Sequence, residues 1–549
     1  MRHFLLLLIG LCGLPLGALT FDELTPEEKL GQTLVVFVDV DSAELVRPMI
    51  EQGKIGGVLI QWGTYSLEET QQLVAKLQGW AKNSPHKVPL LISIDYEGGT
   101  VYTPITLGFD YLPTNMMFAA AQDEEGAATI AYLAGKELKR AGVHINFSPV
   151  LDINSNPNNP IIGVRSFGSD ANEVSKMGMA LLHGFQAAGI VPMVKHFPGH
   201  GDTAVDSHYA VPVVQAGLKQ LEKVNLKPFQ DAINNQVEGI MTGHVMYPAL
   251  DEQNIATFSK PILHDLLRGK MKFKGLVVTD SLDMKGATSY CTISGCALRA
   301  LEAGADVVLL GRYIKPARVF NEIFAGVKQK HLSSRVDQSA RRVFEFKKKL
   351  GLFSVENPFR EAPSSQAYQA ALSRIGDKAV TLVRDRAGLL PFSGKEENKK
   401  TTVCAVFFAP ARFADQLMSL SRPFLERGWK VRSYNAALTP QKRDLDRASQ
   451  CAKGADLLIV GSLQWADKLN SNQKNVIDAL LQKGVPTVLL STMSPYDIAH
   501  YPQAATVLAT YGLNKYVLQT AARIILGEIK PQGKMPVVIV GVTADASGK

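Results

Sequence analysis

Seventeen residues, Met193–Tyr209 (MVKHFPGHGDTAVDSHY), carry Lys195, His196, His200, Asp202, Asp206 and His208. Pro198, Gly199 and Gly201 interrupt them, so a continuous helix is excluded: proline lacks a backbone donor and glycine loses too much conformational entropy. The stretch reads as a strand end, Val191–His196, running into a loop. A histidine–aspartate cluster suggests metal, but metal sites on one element usually show helical spacing, and this loop lacks a HExxH-type register. Organic acid–base chemistry fits better. Asp206 stands two residues before His208, close enough to hold the imidazole, fix its tautomer and support its charged form. The second reactive position is Asp280, where GLVVTDSLD brings a carboxylate out of an apolar run. An aspartate there either caps the next turn or acts as a nucleophile. A carboxylate nucleophile facing a proton-transferring group is the minimum apparatus of retaining glycoside hydrolysis, and an imidazole has a suitable pKa for the second role.

Such groups need a scaffold that brings distant stretches to one rim. Eight apolar runs of strand length precede residue 350: Leu34–Val38, Gly57–Trp62, Pro89–Asp95, His144–Ile153, Val191–His196, Gly239–His244, Gly275–Asp280 and Ala305–Leu310. They are continuous rather than alternating, as in parallel strands buried on both faces. Helical segments lie between them, including Leu67–Trp80, Ala127–Ala141, Val174–Ala188, Leu218–Asn235 and Pro261–Arg268. The pattern predicts an α/β fold with a (β/α)8 TIM-type barrel; a doubly wound sheet is the alternative. Polar residues end five of the runs: Asp95 with Glu97, Asp152, Lys195 with His196, His244, and Asp280. Strand carboxyl ends form the rim on which barrel enzymes place their sites.

Residues 25–350 resemble glycoside hydrolase family 3, in particular its β-N-acetylglucosaminidase (β-hexosaminidase) branch. LLRGKMKFKGLVVTDSLD (Leu266–Asp283) is similar to the family's nucleophile signature, implying Asp280 as nucleophile. KHFPGHGDTAVDSH (Lys195–His208) is similar to the branch's hallmark loop, implying Asp206 and His208 as the acid/base dyad. IIGVRSFGSD (Ile161–Asp170) implies Arg165 as a sugar contact, SIDYEGG (Ser93–Gly99) implies Asp95 as a ligand for hydroxyls, and Lys195 and His196 follow as a further pair. The branch commonly continues DxEGGRVxR; here DYEGGTVYT puts Thr100 and Thr103 at the two arginine positions. Of the remaining rim residues, Glu97 reads as support rather than a second acid. Asp152 and His244 are expected to orient neighbours or line the pocket. His200 and Asp202 are expected to hold the loop and Lys195, and Trp62 reads as a core aromatic or a sugar-site wall.

Past the barrel, Glu356–Gln366 breaks the pattern, and the runs Ala379–Val383, Thr402–Phe408, Leu457–Gly461, Thr487–Ser491 and Thr506–Ala509 alternate with helices. The expected division is a targeting segment at 1–20, the barrel at 21–350, a linker at 351–378 and a smaller α/β sandwich domain at 379–549. AVTLVRDRAGLLPF and GEIKPQGKMPV resemble the family's carboxyl-terminal domain. No phosphate-binding glycine motif occurs, and neither a cofactor nor a metal is expected. A net charge of +8 without arginine-rich tracts argues against nucleic acid, and the resemblance implies a carbohydrate as the partner. Arg2 and His3 before the apolar run Phe4–Leu11 suggest export to a periplasmic or extracellular space, and no later run is long enough to span a membrane. Cys291 and Cys296 are spaced for a small loop disulfide in such a space; Cys404 and Cys451 read as buried free thiols. The leading expectation is removal of terminal β-N-acetylglucosamine from glycans such as peptidoglycan fragments. Alternatives are a phosphorylase of the same glycosides, a broader β-glucosidase, or a sugar-binding protein that has lost activity.

Overall fold

The structure is a computed structural model and describes residues 19–61, 66–99, 112–312, 314–354, 365–395, 400–464 and 469–542. Its first half is built on strands β1 (Leu34–Val38), β2 (Gly57–Ile60), β3 (Leu91–Ile94), β4 (Ile145–Asn146), β5 (Val191–Phe197), β6 (Gly239–Thr242), β7 (Leu276–Thr279) and β8 (Val308–Leu309). They lie in the order β8-β1-β2-β3-β4-β5-β6-β7 with parallel pairing, and a parallel bridge between Val278 and Val307 joins the two ends into a barrel.

Continuous apolar strands are what this closure requires. Alternate residues such as Val35, Leu91, Val191, Met193, Leu276 and Val278 fill the barrel interior. Their neighbours, such as Val36, Ile92, Val194 and Val277, face the surrounding helices. Each strand therefore buries both faces, with side chains pointing alternately in and out.

Two expected elements are broken by proline. The run His144–Ile153 pairs as a strand only at Ile145–Asn146, because Pro149 follows and has no N–H to give the ladder; Val150 bridges Lys195 again further on. The segment Leu218–Asn235 forms two helices, Leu218–Lys223 and Lys227–Asn234, the second opening with Pro228 in its first turn.

The second unit is a six-stranded sheet of β9 (Thr381–Asp385), β10 (Thr402–Phe408), β11 (Lys430–Ala436), β12 (Leu457–Ser462), β13 (Thr487–Ser491) and β14 (Thr506–Ala509). Their order is β9-β14-β13-β12-β10-β11, parallel except for β9 against β14. Strand β11 was not expected: KVRSYNA is an edge strand, largely solvent-facing, and its polar residues mask the periodicity. The span 351–378, expected as a linker, ends in a helix, Ser365–Ala379, whose Arg374 and Lys378 grip Asp123 of the barrel at 2.6–2.8 Å.

Cys404 and Cys451 are not free thiols. They form a disulfide with Cα atoms 5.8 Å apart, joining β10 to the end of the helix Lys442–Ala452. A separation of 47 residues hid the pairing, since contact here depends on packing between elements. Cys291 and Cys296 form the second disulfide. Among the described residues no helix is long and apolar enough to cross a membrane. The leader, within residues 1–18, lies outside the described residues.

Candidate active site

At the carboxyl end of the barrel strands lies a cavity of about 270 Å³, lined among others by Asp95, Glu97, Arg165, Lys195, His196, His208 and Asp280. A larger cavity of about 1170 Å³ opens at the other end, beside the starts of β5, β6 and β7. It gathers no comparable set of reactive groups.

One wall of the smaller cavity is a charge cluster. Lys195, on β5, gives its ammonium to Asp95 Oδ1 and to Glu97 Oε1, both at 2.6 Å. Arg165 clamps Glu97 with Nε at 2.8 Å and Nη2 at 2.9 Å, the fork-on-carboxylate geometry that Arg alone supplies. Burial alone would raise the Glu97 pKa, but Arg165 and Lys195 outweigh it and pull the carboxyl down to about 2. Glu97 is therefore ionised and holds two cations in place; it has no proton to give near neutrality. Lys195 is depressed by burial, yet Asp95 and Glu97 push it above its ordinary value, so it stays charged.

Beneath this wall, buried Asp152 acts as a hub. Its carboxylate accepts from the His196 ring at 2.6 Å and from the backbone N–H of His200 at 2.6 Å. Arg165 Nη2 lies 3.4 Å from His196 Nε2, and a guanidinium can only donate. His196 Nε2 is accordingly the acceptor, and Nδ1 carries the proton shared with Asp152. His196 thus presents a fixed tautomer to the cavity, whereas Asp152 itself does not line it.

The loop after β5 folds back over the mouth. Gly199 adopts φ +126°, and the Tyr247 hydroxyl donates to its carbonyl. A Cβ on Gly201 would stand 1.8 Å from the Ile153 carbonyl oxygen, so only glycine fits there. His200 spans the loop, with Nδ1 2.9 Å from Thr203 Oγ1 and Nε2 3.0 Å from Ser207 Oγ; burial lowers its pKa to about 4, so it is a neutral strut. Ser207 then accepts from the Gly286 N–H at 2.8 Å, tying the loop to the segment that follows Asp280. Asp202 accepts from Ser155, and Lys195 is held by Asp95 and Glu97 rather than by His200 or Asp202.

At the end of this loop Asp206 Oδ1 accepts from both the His208 backbone N–H at 2.8 Å and the ring Nδ1 at 2.7 Å. The His208 side chain is 47% exposed, whereas the Asp206 side chain is only 13% exposed. The carboxylate thus backs the ring and leaves Nε2 as the nitrogen for proton exchange. The hydrogen bond that the His208 ring donates to Asp206 raises the His208 pKa against the opposing effect of burial, and the Asp206 and Asp280 charges add to the rise.

Asp280 follows β7 directly, and its Oδ1 accepts from the Ser281 N–H at 2.7 Å. Burial disfavours its charge, but His196, His244, that N–H and Lys195 together hold its pKa below the usual carboxylate value. His244 is buried behind it, bonded to Thr257 and to the Ser281 carbonyl.

The structure therefore brings Asp95, Arg165, Lys195, His196, His208 and Asp280 to one cavity, with Asp206 directly behind His208. Thr100, Thr103 and Trp62 lie outside the described residues. Sequence reasoning missed Asp283, Phe37 and Arg312, which line the opposite wall; Asp283 was visible only as the last residue of VVTDSLD. An ionised carboxylate and a carboxylate-backed imidazole on one sugar-sized cavity can perform displacement at an acetal carbon with proton transfer to the departing oxygen. Among the described residues, no group of three or more His, Cys, Asp or Glu side chains is placed to hold a metal ion.

The chain and its fold are similar to known proteins. The model of the glycosyl hydrolase family 3 N terminal domain matches residues 25–346, and that of the family's C-terminal domain matches residues 199–548. The chain is 29% identical to "Beta-hexosaminidase A" of Pseudoalteromonas piscicida, over 89% of this chain and 90% of that one. It is 35% identical to a "Beta-hexosaminidase" of Nitrosomonas eutropha, over 51% of this chain and 80% of that one. Among solved structures, a glycoside hydrolase family 3 β-N-acetylglucosaminidase from Paenibacillus sp. superposes with a TM-score of 0.86 at 30% identity, covering 95% of this chain and all of that one.

Proposed function

The chain belongs to glycosyl hydrolase family 3, and we propose that it is a retaining exo-glycosidase that removes terminal, non-reducing β-N-acetylglucosamine, with peptidoglycan fragments as the natural source. One observation carries the reading: His208, backed by Asp206, and Asp280 line the same cavity, whose remaining polar wall suits sugar hydroxyls. In this mechanism Asp280 attacks the anomeric carbon while His208 Nε2 protonates the departing oxygen. A glycosyl-enzyme ester forms and the aglycone leaves. His208, now neutral, takes a proton from water; the hydroxide oxygen displaces Asp280 and restores both groups. Asp95, Lys195, His196 and Arg165 hold the hydroxyls, with Glu97 and Asp152 fixing them in turn. The hexosaminidase relatives support an acetamido sugar.

We also propose export to an oxidising compartment, supported by the two disulfides. The test is release of 4-nitrophenol from its N-acetyl-β-glucosaminide by the wild type, with loss in Asp280→Ala. Equal hydrolysis of the glucoside would remove the acetamido preference. Accumulation of glycosyl phosphate in phosphate buffer would make phosphate, not water, the acceptor. Failure to release N-acetylglucosamine from muropeptides would remove the proposed natural source.

A further inference from the structure

Asp280 Oδ1 accepts from the Ser281 N–H at 2.7 Å, so the direction of that peptide sets the direction of the carboxylate. Ser281 is buried and held from two further sides. Its carbonyl accepts from His244 Nε2 at 2.9 Å, and the same ring meets Thr257 Oγ1 through Nδ1 at 2.8 Å. Its hydroxyl donates to Asp283 Oδ1 at 2.6 Å. The other Asp283 oxygen, Oδ2, accepts from the Arg312 backbone N–H at 2.9 Å, just past β8. Gly311, at φ +109°, lets the chain close on that carboxylate, since a Cβ there would stand 2.5 Å from Asp283 Cγ. The Leu282 N–H donates to the Leu309 carbonyl of β8 at 2.9 Å, a second tie between the same two segments.

We propose that Asp283 is a positioning residue for the reaction: it fixes Ser281, and through the Ser281 N–H it aims Asp280 at the anomeric carbon. The proposal rests on the role assigned above to Asp280 as nucleophile. Asp280 stands one residue past β7, and its own N–H still reaches the Thr242 carbonyl at 3.2 Å. Beyond it the chain turns away from the sheet, and the next peptide keeps its direction only through the groups that hold it. Asp283 supplies that hold, with one oxygen on Ser281 and the other on the chain leaving the neighbouring strand. A carboxylate suits such a bridge because it accepts on both oxygens. Displacement at an acetal carbon needs the attacking oxygen in line with the departing one, and a small misplacement costs rate without costing affinity. Asp283 lines the cavity, yet both its oxygens are turned to protein donors, so it acts on the reaction through Ser281.

The test uses 4-nitrophenyl N-acetyl-β-glucosaminide as substrate and N-acetylglucosamine as inhibitor. Asp283→Ala should lower kcat about tenfold while N-acetylglucosamine inhibits as it does the wild type. Ser281→Ala keeps the backbone N–H and every charge but breaks the link to Asp283. It should lower kcat similarly and move the acid limb of kcat/KM upward, because Asp280 is then less well held in its charged form. His196, His244, Lys195 and His208 are the titratable groups that act on Asp280, and none of them is altered in this variant. Both substitutions cut one chain of contacts, so the double variant should be no slower than Asp283→Ala. Asp283→Asn can still bridge with its oxygen and its amide, and should recover part of kcat. A double variant slowed by about the product of the two single losses would show independent effects and overturn the proposal. So would an unmoved acid limb in Ser281→Ala. Weakened inhibition with kcat unchanged in Asp283→Ala would make Asp283 a sugar ligand instead, which also overturns it. If the wild type releases 4-nitrophenol, Asp280→Ala does not, and the Asp283 and Ser281 variants match the wild type, the nucleophile stands and the Asp283 role falls. If the wild type releases no 4-nitrophenol, the glycosidase reading fails and takes the Asp283 role with it.

Discussion

His208 sits between two carboxylates, and that placement sets the direction of its pH response. In the proposed mechanism the reactive enzyme has His208 protonated and Asp280 ionised. Since Asp206 raises the imidazole pKa from its ordinary value, His208 keeps its proton as pH climbs past that value, and the basic limb of kcat/KM lies above about 6.5. Since Asp280 is held below its ordinary value, the acid limb lies lower than an isolated aspartate would give. Asp206→Asn keeps an acceptor for Nδ1 and removes the charge. It should move the basic limb down by about one unit, leave the acid limb in place, and cost most activity on the alkaline side. A kcat/KM profile with an unmoved basic limb would contradict the role given to Asp206. At this scale the Asp206–His208 pair was legible because its partners are two residues apart. The Glu97–Arg165 clamp and the Asp152 hub were not: each joins groups more than forty residues apart, which only the barrel brings together.

Elements were legible wherever burial on both faces forced an unbroken apolar run. Strand β1 lies where its run does, as do β10, β13 and β14 in the second unit. Sequence reading failed where another constraint intervened: Pro149 truncating β4, the polar edge strand β11, and the Cys404–Cys451 bond. That bond closes a 47-residue separation and pins a helix to β10. The loop-entropy argument gives it about 4 kcal/mol of stabilisation. Cys404→Ser with Cys451→Ser should lower the Tm of the second unit's transition, and a reductant should do the same to the wild type. An unchanged melting curve in both cases would show that the bond adds nothing to stability.

On the scale of the whole molecule, the carboxyl-terminal unit reaches back to the segment that carries Arg165. The Ser169 N–H donates to the Pro536 carbonyl at 3.1 Å, and Gly168, at φ +142°, lets that carbonyl come close. A Cβ there would stand 2.3 Å from the Pro536 oxygen. Asn154 and Tyr496 add a second contact across the units at 3.1 Å. Gly168→Ala should therefore cost about 1–3 kcal/mol and, by shifting Arg165, raise KM more than it lowers kcat; thermal melts and initial rates check both. An alanine variant with wild-type Tm and KM would show that the second unit does not support the site. The central claim concerns which groups flank the anomeric carbon, and trapping tests it most directly. His208→Ala, given an N-acetylglucosaminide with a dinitrophenyl leaving group, should still form the glycosyl-enzyme but lack the base to release it. Peptide mass mapping should then find one N-acetylglucosaminyl group on Asp280. A label on any other residue, or turnover of this variant as fast as the wild type, would contradict the account.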